Sequence, residues 1–352
     1  MNRVAIIGAG IGAEHLAGYR ALDRFEVTAL CDLDLDRAQT ACGGTVFCTD
    51  DMAAVLADPA IDLVDICLPP HLHFDASVAA LQAGKHVICE KPLVRSLAEA
   101  DRLIAAAGRA GRRVFPVFQY RYGPAFAQLR ALIEAGLAGR AYVASLETHW
   151  SRDAGYYAVP WRGTWAGESG GAVLGHAIHA HDLLSHVLGP VAEVTALTAT
   201  RVNAIETEDC AALALRMQSG ALATSSVTLG AATDTSRLRF CFEGFTAESG
   251  TDPYAPGTGV WTFTARAPVT QAQIDAVLAQ VAPGHSGFAG FLAAVADALD
   301  GTEGGEVTLA DGRRSVEFVT AVYASARSGA PVALPLDAAA KHYNGWLPDR
   351  AD

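Results

Sequence analysis

Three glycines lie close together at the point where the first apolar run of the chain ends. The run Val4–Ile7 leads directly into Gly8-Ala9-Gly10-Ile11-Gly12, and a helical pattern follows from Glu14. Glycine allows a sharp turn and a close approach of the backbone to a ligand, and the first turn of a helix presents unpaired N–H groups to an anion. A strand, a glycine loop and a helix in this order are typical of a unit that binds the pyrophosphate of a dinucleotide.

The spacing of these glycines departs from the usual Gly-x-Gly-x-x-Gly pattern. Either Ala13 stands in place of the third glycine, or the loop is one residue shorter and Gly12 takes that part. Under both alternatives the predicted contacts with the cofactor include Gly8, Gly10, Ile11 and Gly12.

An aspartate follows the second apolar run. Asp32 lies 20 residues after Gly12, where a carboxylate hydrogen-bonds the adenosine ribose and repels a 2′-phosphate. This favours NAD over NADP, although Arg37 nearby could still receive such a phosphate. The alternative is that Asp32 only ends a strand in an acidic loop, since Asp34 and Asp36 follow it.

Strand and helix signals alternate through the first 120 residues, whereas strands follow one another after about residue 121. Continuous apolar strands that alternate with helices indicate a parallel sheet covered on both faces, and strands in series indicate a mostly antiparallel sheet. We therefore predict an α/β protein with a Rossmann domain at residues 1–121 and a second α/β domain with a large, open-faced sheet at residues 122–352. The predicted strands are 3–7, 26–31, 63–68, 86–89, 113–118, 140–150, 191–202, 210–217, 221–229, 236–242 and 260–265, and the helices are 14–22, 35–42, 52–56, 74–83, 96–107, 124–135, 177–188, 285–299 and 310–327, the last capped by Thr308 and Asp311.

Composition excludes several classes of partner. The 352 residues carry a net charge of -12, which repels a nucleic-acid backbone and gives no attraction to anionic lipid. No apolar run reaches the length of a membrane span, and the first strand begins almost at once, without a leader. The seven cysteines include no Cys-x-x-Cys pair, which favours free thiols in a reducing compartment and predicts a cytoplasmic protein.

The strand at His86–Cys89 ends in Glu90-Lys91-Pro92. Ligands bind at the carboxyl ends of strands in such sheets, so Lys91 is expected near the reacting carbon, where an ammonium stabilises a developing alkoxide. A cis bond before Pro92 would fix the turn that aims this lysine. From composition alone the alternative is a surface ion pair between Glu90 and Lys91.

Histidines cluster around the helix predicted at 177–188. His176, His179, Asp182 and His186 recur at a spacing that places them on one broad face, whereas His181 points elsewhere. Asp182 could hold the tautomer of a neighbouring histidine. No His-Glu-x-x-His pattern is present, so we predict no metal site; the alternative for each histidine is a structural hydrogen bond.

Aromatic and basic side chains are dense in two segments, at residues 119–122 and 150–165. Aromatic faces stack on sugar rings, and arginine holds a carboxylate through two parallel hydrogen bonds, so a carboxylated sugar is among the candidate substrates. Packing of these aromatics on the core is the competing interpretation. The predicted substrate contacts here are Arg121, Arg152, Tyr156, Trp161 and Arg162.

Taken together, these motifs resemble the glucose–fructose oxidoreductase / inositol dehydrogenase / rhizopine catabolism (Gfo/Idh/MocA) family over nearly the whole chain. The residues that carry the resemblance are the glycine loop, Pro69-Pro70-His71-Leu72-His73, Glu90-Lys91-Pro92, Gly170-Gly171, His179 with Asp182, and Gly329-Ala330-Pro331-Val332. The resemblance implies a Rossmann domain followed by an open-faced α/β domain whose exposed sheet forms a homodimer or homotetramer. It also implies cofactor contacts at Leu68, Pro69, His73, Glu90 and Lys91.

In that family the lysine of the Glu-Lys-Pro motif contributes to catalysis, which implies this role for Lys91, and the histidine after the glycine pair acts as acid and base, which implies His179. Many members also place an aspartate four residues before that histidine, where this chain has Gly175. Either His176 substitutes for the carboxylate, or Lys91 and His179 suffice, or the chemistry differs.

These observations predict an NAD(P)-dependent oxidoreductase that transfers a hydride between nicotinamide and a ring hydroxyl or carbonyl of a sugar or cyclic polyol. Lys91, His176 and His179 are expected to contact the substrate as well as to catalyse. One alternative is a reductase of a non-sugar carbonyl or a dihydrodiol. The other, suggested by Gly175, is a cofactor-binding sensor that has lost turnover.

Overall fold

A computed structural model of the chain describes residues 1–348 and divides them into two compact units. The first consists of Met1–Phe118 and Phe288–Val316, and the second of Gln119–Gly287 and the described residues from Glu317 onward. A segment near the carboxyl end therefore returns to the first unit, which the sequence pattern did not indicate. The division into functional domains at residue 121 stays a prediction.

The first unit is built on a six-stranded sheet with the order β3-β2-β1-β4-β5-β6, in which every pair of neighbours is parallel. This confirms the predicted parallel sheet of a Rossmann domain. Strands β1, β4 and β5 are almost wholly buried on both faces, as the continuous apolar runs required. The strands are β1 Asn2–Ile7, β2 Phe25–Cys31, β3 Phe47–Thr49, β4 Leu63–Ile66, β5 His86–Cys89 and β6 Val114–Pro116.

Helices connect these strands. The first begins at Ala9, five residues earlier than predicted, because the glycine loop itself forms its first turn. Helix α12 spans Leu309–Ser328 and begins with the expected cap, since the Asp311 amide donates to Thr308 Oγ1 and the Thr308 amide donates to Asp311 Oδ2. The other helices of this unit are α1 Ala9–Arg20, α2 Leu35–Cys42, α3 Met52–Ala57, α4 His73–Gln82, α5 Leu97–Ala110 and α11 Gly287–Leu299.

The returning segment packs closely on the first helix. A Cβ atom at Gly18 would lie 2.9 Å from Cβ of Phe288 and 3.1 Å from Leu292, so α1 and α11 touch at a glycine. Arg24 pairs with Asp297 and Asp300, and Arg313 pairs with Asp101. These contacts make α11 a part of the first unit's core.

The second unit contains an eight-stranded sheet with the order β13-β12-β11-β7-β10-β9-β8-β14. Its neighbours are antiparallel except β7 and β10, which confirms the predicted, mostly antiparallel sheet. Burial alternates along β9, so one face packs on the core and the other is open. The strands are β7 Ala141–Ser151, β8 Val191–Ala199, β9 Cys210–Met217, β10 Leu222–Thr228, β11 Gly230–Phe242, β12 Phe245–Glu248, β13 Thr262–Ala265 and β14 Val332–Ala333.

Strand β8 ends at Ala199, and the prediction that it continues to Val202 is wrong. The amides of Arg201, Val202 and Asn203 donate to the carboxylate of Asp209 rather than to a neighbouring strand. Strand β11, in contrast, begins at Gly230, before the predicted Ser236. The helices of this unit are α6 Pro124–Glu134, α7 Trp165–Glu168, α8 Ala172–Gly175, α9 Ile178–Leu188 and α10 Gln271–Leu278, together with the later part of α12.

The carboxyl-terminal segment, expected to pack back or fray, packs back as far as it is described. Trp346 is fully buried, and its indole Nε1 donates to the carbonyl of Ser169 at 2.6 Å. Residues 349–352 lie outside the described part. Within residues 1–348 no helix combines the length and the apolar character needed to cross a bilayer.

Candidate active site

The glycine loop between β1 and α1 has the geometry of a phosphate cradle. Gly8 has a φ of 104°, and a Cβ atom there would overlap the carbonyl oxygen of Cys67. A Cβ at Gly10 would meet no heavy atom within 4 Å, which leaves open space at the helix N-terminus. A Cβ at Gly12 would lie 2.8 Å from Ile6, so Gly12 lets α1 pack on β1. The structure therefore favours the shortened loop, with Gly12 in the part of the third glycine.

Asp32 stands directly after β2 and is tied to the same loop. The Ala9 amide donates to its Oδ2 at 2.7 Å, and the Asp34 amide donates to its Oδ1 at 2.9 Å. Arg37 adds two hydrogen bonds, of 3.2 Å from Nε and 2.5 Å from Nη2. Although burial works against it, these donors lower the pKa of Asp32, so the carboxylate is ionised.

This arrangement fits the adenosine end of NAD. A fixed carboxylate lies beside the glycine loop, where ribose hydroxyls would bind, and the open space at Gly10 admits a pyrophosphate. Arg37, the nearby cation that could receive a 2′-phosphate, pairs with Asp32. Ile11, also a predicted contact, is 43% exposed on the first turn of α1.

His73 joins two loops of the first unit. Its ring nitrogens lie 2.7 Å from the carbonyl oxygens of Leu68 and Pro92, and the side chain is fully buried. It therefore holds the loop after β4, where Leu68 and Pro69 are half-buried, against the loop after β5. Direct contact between these three residues and the cofactor stays a prediction.

Lys91 is held at the carboxyl end of β5 by a buried chain of charged groups. Its amide donates to Glu90 Oε2 at 2.9 Å, and Glu90 Oε1 lies 3.1 Å from His15 Nε2. The other ring nitrogen of His15 lies 2.8 Å from Asp65, which also accepts from Tyr19. The bond between Lys91 and Pro92 is cis, as expected. The Glu90 carboxylate is thus buried in this network and not at the surface.

This buried network, in which His15 lies between Asp65 and Glu90, was not predicted from the sequence. Burial favours the neutral imidazole, but the Asp65 carboxylate outweighs it and raises the pKa of His15 well above its ordinary value. A cation between two buried carboxylates neutralises charge that would otherwise be costly. The only signals were a histidine three residues after Gly12 and an aspartate within an apolar strand.

In the second unit, Glu208 shapes the turn that leads into α8, just before the two candidate histidines. Its carboxylate accepts from the amides of Gly171 at 3.1 Å and Val173 at 3.0 Å and from the hydroxyl of Tyr323, and its carbonyl accepts from Ala172. A Cβ at Gly171 would overlap the Glu208 carbonyl, which explains the glycine. Burial raises the pKa of Glu208 to about 7. This residue, too, was missed, because nothing in its acidic neighbourhood distinguishes it.

His176 and His179 are both buried, at 7% and 5% exposure. The ring of His179 stacks on Tyr120 with centroids 4.2 Å apart, whereas His176 meets Trp150 edge-on at 5.5 Å and lies 5.8 Å from Tyr156. A Cβ at Gly175 would meet no heavy atom within 4 Å, so the place of the missing carboxylate is open. The two predicted histidines thus lie among aromatic rings beside a space.

The rest of the histidine helix has structural partners. Asp182 accepts two hydrogen bonds from Arg121, of 2.7 Å and 2.6 Å, in a buried ion pair. His181 lies against Ser225 and Phe318, away from His179 as expected, and burial lowers its pKa to about 3. His186 is exposed, so the predicted face does not extend to it.

The aromatic and basic loop holds the remaining candidates. Arg162 lies over the ring of Tyr156 at 3.8 Å and over Trp161 at 5.2 Å. Arg152 pairs with Asp234 at 2.9 Å and donates to the hydroxyl of Tyr254. Burial raises the pKa of Tyr156, so its hydroxyl stays protonated. The contact of each with a substrate stays a prediction.

Comparison with known proteins relates both units to one family. Residues 2–118 match a family model described as an oxidoreductase family with an NAD-binding Rossmann fold, and residues 126–247 match the GFO/IDH/MocA C-terminal domain. The crystal structure of the WlbA dehydrogenase from Bordetella pertussis, in complex with NADH and UDP-GlcNAcA, is 30% identical with a TM-score of 0.83, and the alignment covers 95% of this chain and 99% of that one.

Curated relatives align over shorter stretches. Levoglucosan dehydrogenase of Pseudarthrobacter phenanthrenivorans is 31% identical over 56% of this chain and 54% of the relative. Myo-inositol 2-dehydrogenase of Thermotoga maritima is 31% identical over 62% of this chain and 66% of the relative. The chain thus spans about half to two thirds of the length of these relatives. The two matching domains and the likeness along the full WlbA chain show that this protein belongs to the Gfo/Idh/MocA family of oxidoreductases, with an NAD-binding Rossmann domain.

Proposed function

We propose that the protein is an NAD-dependent dehydrogenase that oxidises a ring hydroxyl of a sugar or cyclic polyol, or reduces the corresponding carbonyl. The observation that carries this proposal is the buried chain that fixes Lys91 beside the NAD-binding loop through Glu90 and His15. Family relatives are named for levoglucosan, D-glucosides and myo-inositol, all of which are polyhydroxylated rings.

NAD, when bound, supplies the hydride acceptor or donor. The ammonium of Lys91 stabilises negative charge on the substrate oxygen as its proton leaves. His179 takes that proton in the oxidation and returns it in the reduction, with its ring plane held by Tyr120. His176 is a second candidate for the proton relay, since the usual carboxylate is replaced by Gly175. Loss of the C–H hydride and the O–H proton converts the carbinol to a carbonyl.

The open face of the eight-stranded sheet supports a proposed homo-oligomer. Exposed apolar side chains on that sheet include Val143, Leu197 and Leu222, which are 45%, 69% and 48% exposed. Burial of these residues against a second copy would remove apolar area from water. We propose a homodimer or homotetramer, which light scattering on a sizing column would distinguish from a monomer, and a cytoplasmic location, in keeping with the free cysteines.

The test of the function is formation of NADH in the presence of a panel of ring polyols. The panel contains myo-inositol, levoglucosan, D-glucose, D-glucuronate and UDP-glucuronate, each with NAD and then with NADP. Turnover of at least one compound with NAD supports the proposal. A protein that binds NAD and turns over none of the panel, nor a dihydrodiol, would instead support a sensor.

Substitution of Lys91 gives the matching prediction. Lys91→Ala should lower turnover by about 100-fold or more, because a preorganised cation is lost where charge develops. The dissociation constant for NAD, measured by calorimetry, should stay nearly unchanged. Lys341→Ala, which removes an exposed lysine, is the control. Wild-type turnover in Lys91→Ala would remove this residue from the mechanism.

A further inference from the structure

Three arginines of the second unit are predicted substrate contacts, and they differ in whether a carboxylate of the protein pairs with them. Arg121 places two nitrogens on the buried carboxylate of Asp182. Arg152 lies 2.9 Å from Asp234 and 3.0 Å from the hydroxyl of Tyr254. Both guanidinium groups therefore already have an anionic partner within the protein.

Arg162 differs from the other two. Among residues 1–348 no carboxylate oxygen lies within ion-pair distance of it, and its buried Nε has no hydrogen-bond acceptor. The carboxylate of Glu168 accepts from the amide of Gly163, at 2.6 Å. Because a buried guanidinium N–H without an acceptor costs free energy, the site favours an acceptor supplied from outside.

The surroundings of Arg162 indicate where that acceptor would lie. Its guanidinium packs against two aromatic rings, Tyr156 at 3.8 Å and Trp161 at 5.2 Å. Stacking of this kind engages the face of the group and not its in-plane N–H donors. Tyr156 in turn lies 5.8 Å from His176, so the arginine is two rings away from the histidine segment. The net charge of -12 gives no general attraction to anions, so an acidic ligand requires a local cation.

We propose, on the basis of the function proposed above, that Arg162 binds an oxyanion group of the substrate and that the substrate is an acidic sugar. The planar guanidinium edge holds a carboxylate or a phosphate through two parallel N–H···O bonds. Either group, on a ring or exocyclic carbon, fills the free edge of Arg162 while a neighbouring carbinol undergoes oxidation. The group itself takes no part in the hydride transfer.

The test compares acidic and neutral sugars in one assay. We compare kcat/KM for D-glucuronate and for D-glucose 6-phosphate, each divided by kcat/KM for D-glucose. Both ratios are measured with the wild type, Arg162→Gln and Arg162→Lys. We expect a preference of about 10-fold or more for one of the acids in the wild type, which Arg162→Gln abolishes and Arg162→Lys restores in part. The preferred acid identifies the group. Arg327→Gln removes an exposed arginine stacked on Trp165 and should leave the ratios unchanged.

Two outcomes would overturn the inference while the proposed function stands. One is wild-type turnover with no preference for either acid, and the other is an equal loss for acidic and neutral sugars in Arg162→Gln. If no sugar is turned over, calorimetry with D-glucuronate and D-glucose 6-phosphate on the NADH-bound protein decides. If one of the acids binds to the wild type and not to Arg162→Gln, the inference is supported although the proposed function has failed. If neither acid binds to the wild type, the inference is rejected.

Discussion

At the scale of single residues, we propose that Asp32 most directly sets the choice of cofactor. Its two oxygens accept from the amides of Ala9 and Asp34 and from Arg37, so the ionised carboxylate is fixed before a ligand arrives. A 2′-phosphate would approach this charge and be repelled. The same carboxylate also restrains Arg37, the nearby cation that could favour NADP.

Asp32→Ala should therefore weaken NAD and narrow the difference between NAD and NADP. Loss of the hydrogen bonds to the ribose lowers affinity for NAD by about 10-fold or more, and release of Arg37 favours the phosphate. Calorimetric titration with both cofactors measures the change. The control is Asp36→Ala, which removes an exposed carboxylate from α2, the helix that carries Arg37. A wild-type protein that prefers NADP would contradict this interpretation of β2.

Candidate site residues that belong to a local sequence motif could be identified from the sequence. Residues whose partners lie far away along the chain could not. Lys91 and His179 follow a strand end and a glycine pair, so their neighbourhoods are visible in the order of the chain. His15 meets Asp65 and Glu90 only across separations of 50 and 75 residues. Glu208 lies 37 residues from the amide of Gly171 that it accepts from. Such pairs are set by folding, not by sequence proximity.

At the scale of elements, the short helix α8 and the turn before it precede the two candidate histidines, His176 directly after α8 and His179 on α9. The turn depends on the close approach of Glu208 to the backbone at Gly171, whereas Gly175, at the end of α8, faces open space. A side chain is therefore excluded at Gly171 but has room at Gly175, four residues later.

Gly171→Ala should destabilise the protein by about 1–3 kcal/mol, because the added methyl group must displace the Glu208 carbonyl. It should also lower turnover, since the same displacement moves α8 and His176. Gly175→Ala is a matched control for stability: it adds the same methyl group where no heavy atom lies within 4 Å. Chemical unfolding of both variants measures the difference. Equal stability of the two would show that the turn tolerates a side chain at Gly171.

Elements marked by a continuous apolar run or a clear periodicity were predicted within a few residues, whereas elements without such a pattern were missed. Apolar runs and helical periodicity fixed α2, β5 and β9 at their observed bounds. The strands β3, β12 and β14 have three, four and two residues, too few to show an alternation. Helix α10 was also missed. The predicted end of β8 was wrong because the amides after Ala199 donate to the side chain of Asp209, which directly precedes β9.

For the whole molecule, two buried groups give stability a defined dependence on pH. Burial raises the pKa of Glu208 from its ordinary 4.5 to about 7, so stability falls as the pH rises between these values and the buried carboxyl ionises. The pKa of His15 is raised by Asp65 despite burial, so the stabilisation from its charged form is complete below about pH 6.5 and is lost as the pH rises through the higher folded value.

His73, His86 and His181 have lowered pKa values and contribute stability that rises with pH up to about 6.5. The Glu208 contribution is therefore seen as a difference: the free energy of unfolding of the wild type minus that of Glu208→Gln should decline between about pH 5 and 7. On the alkaline side of neutrality the wild-type value should decline as His15 loses its proton. Denaturant titrations at pH values from 5 to about 9 measure this. Glu208→Gln should keep the alkaline decline, which arises from His15. A wild-type curve that is flat or rising above about pH 7 would contradict the assignment of a charged His15.

The return of Phe288–Val316 to the first unit also affects how the protein is made. During translation the amino-terminal 118 residues emerge long before the helix that covers Gly18 and pairs with Arg24. The nucleotide-binding half therefore waits, with part of its apolar surface uncovered, until about nine tenths of the chain has left the ribosome. A nascent chain in that interval is a natural client for chaperones, and the core of the first unit is completed among the last events of synthesis rather than the first.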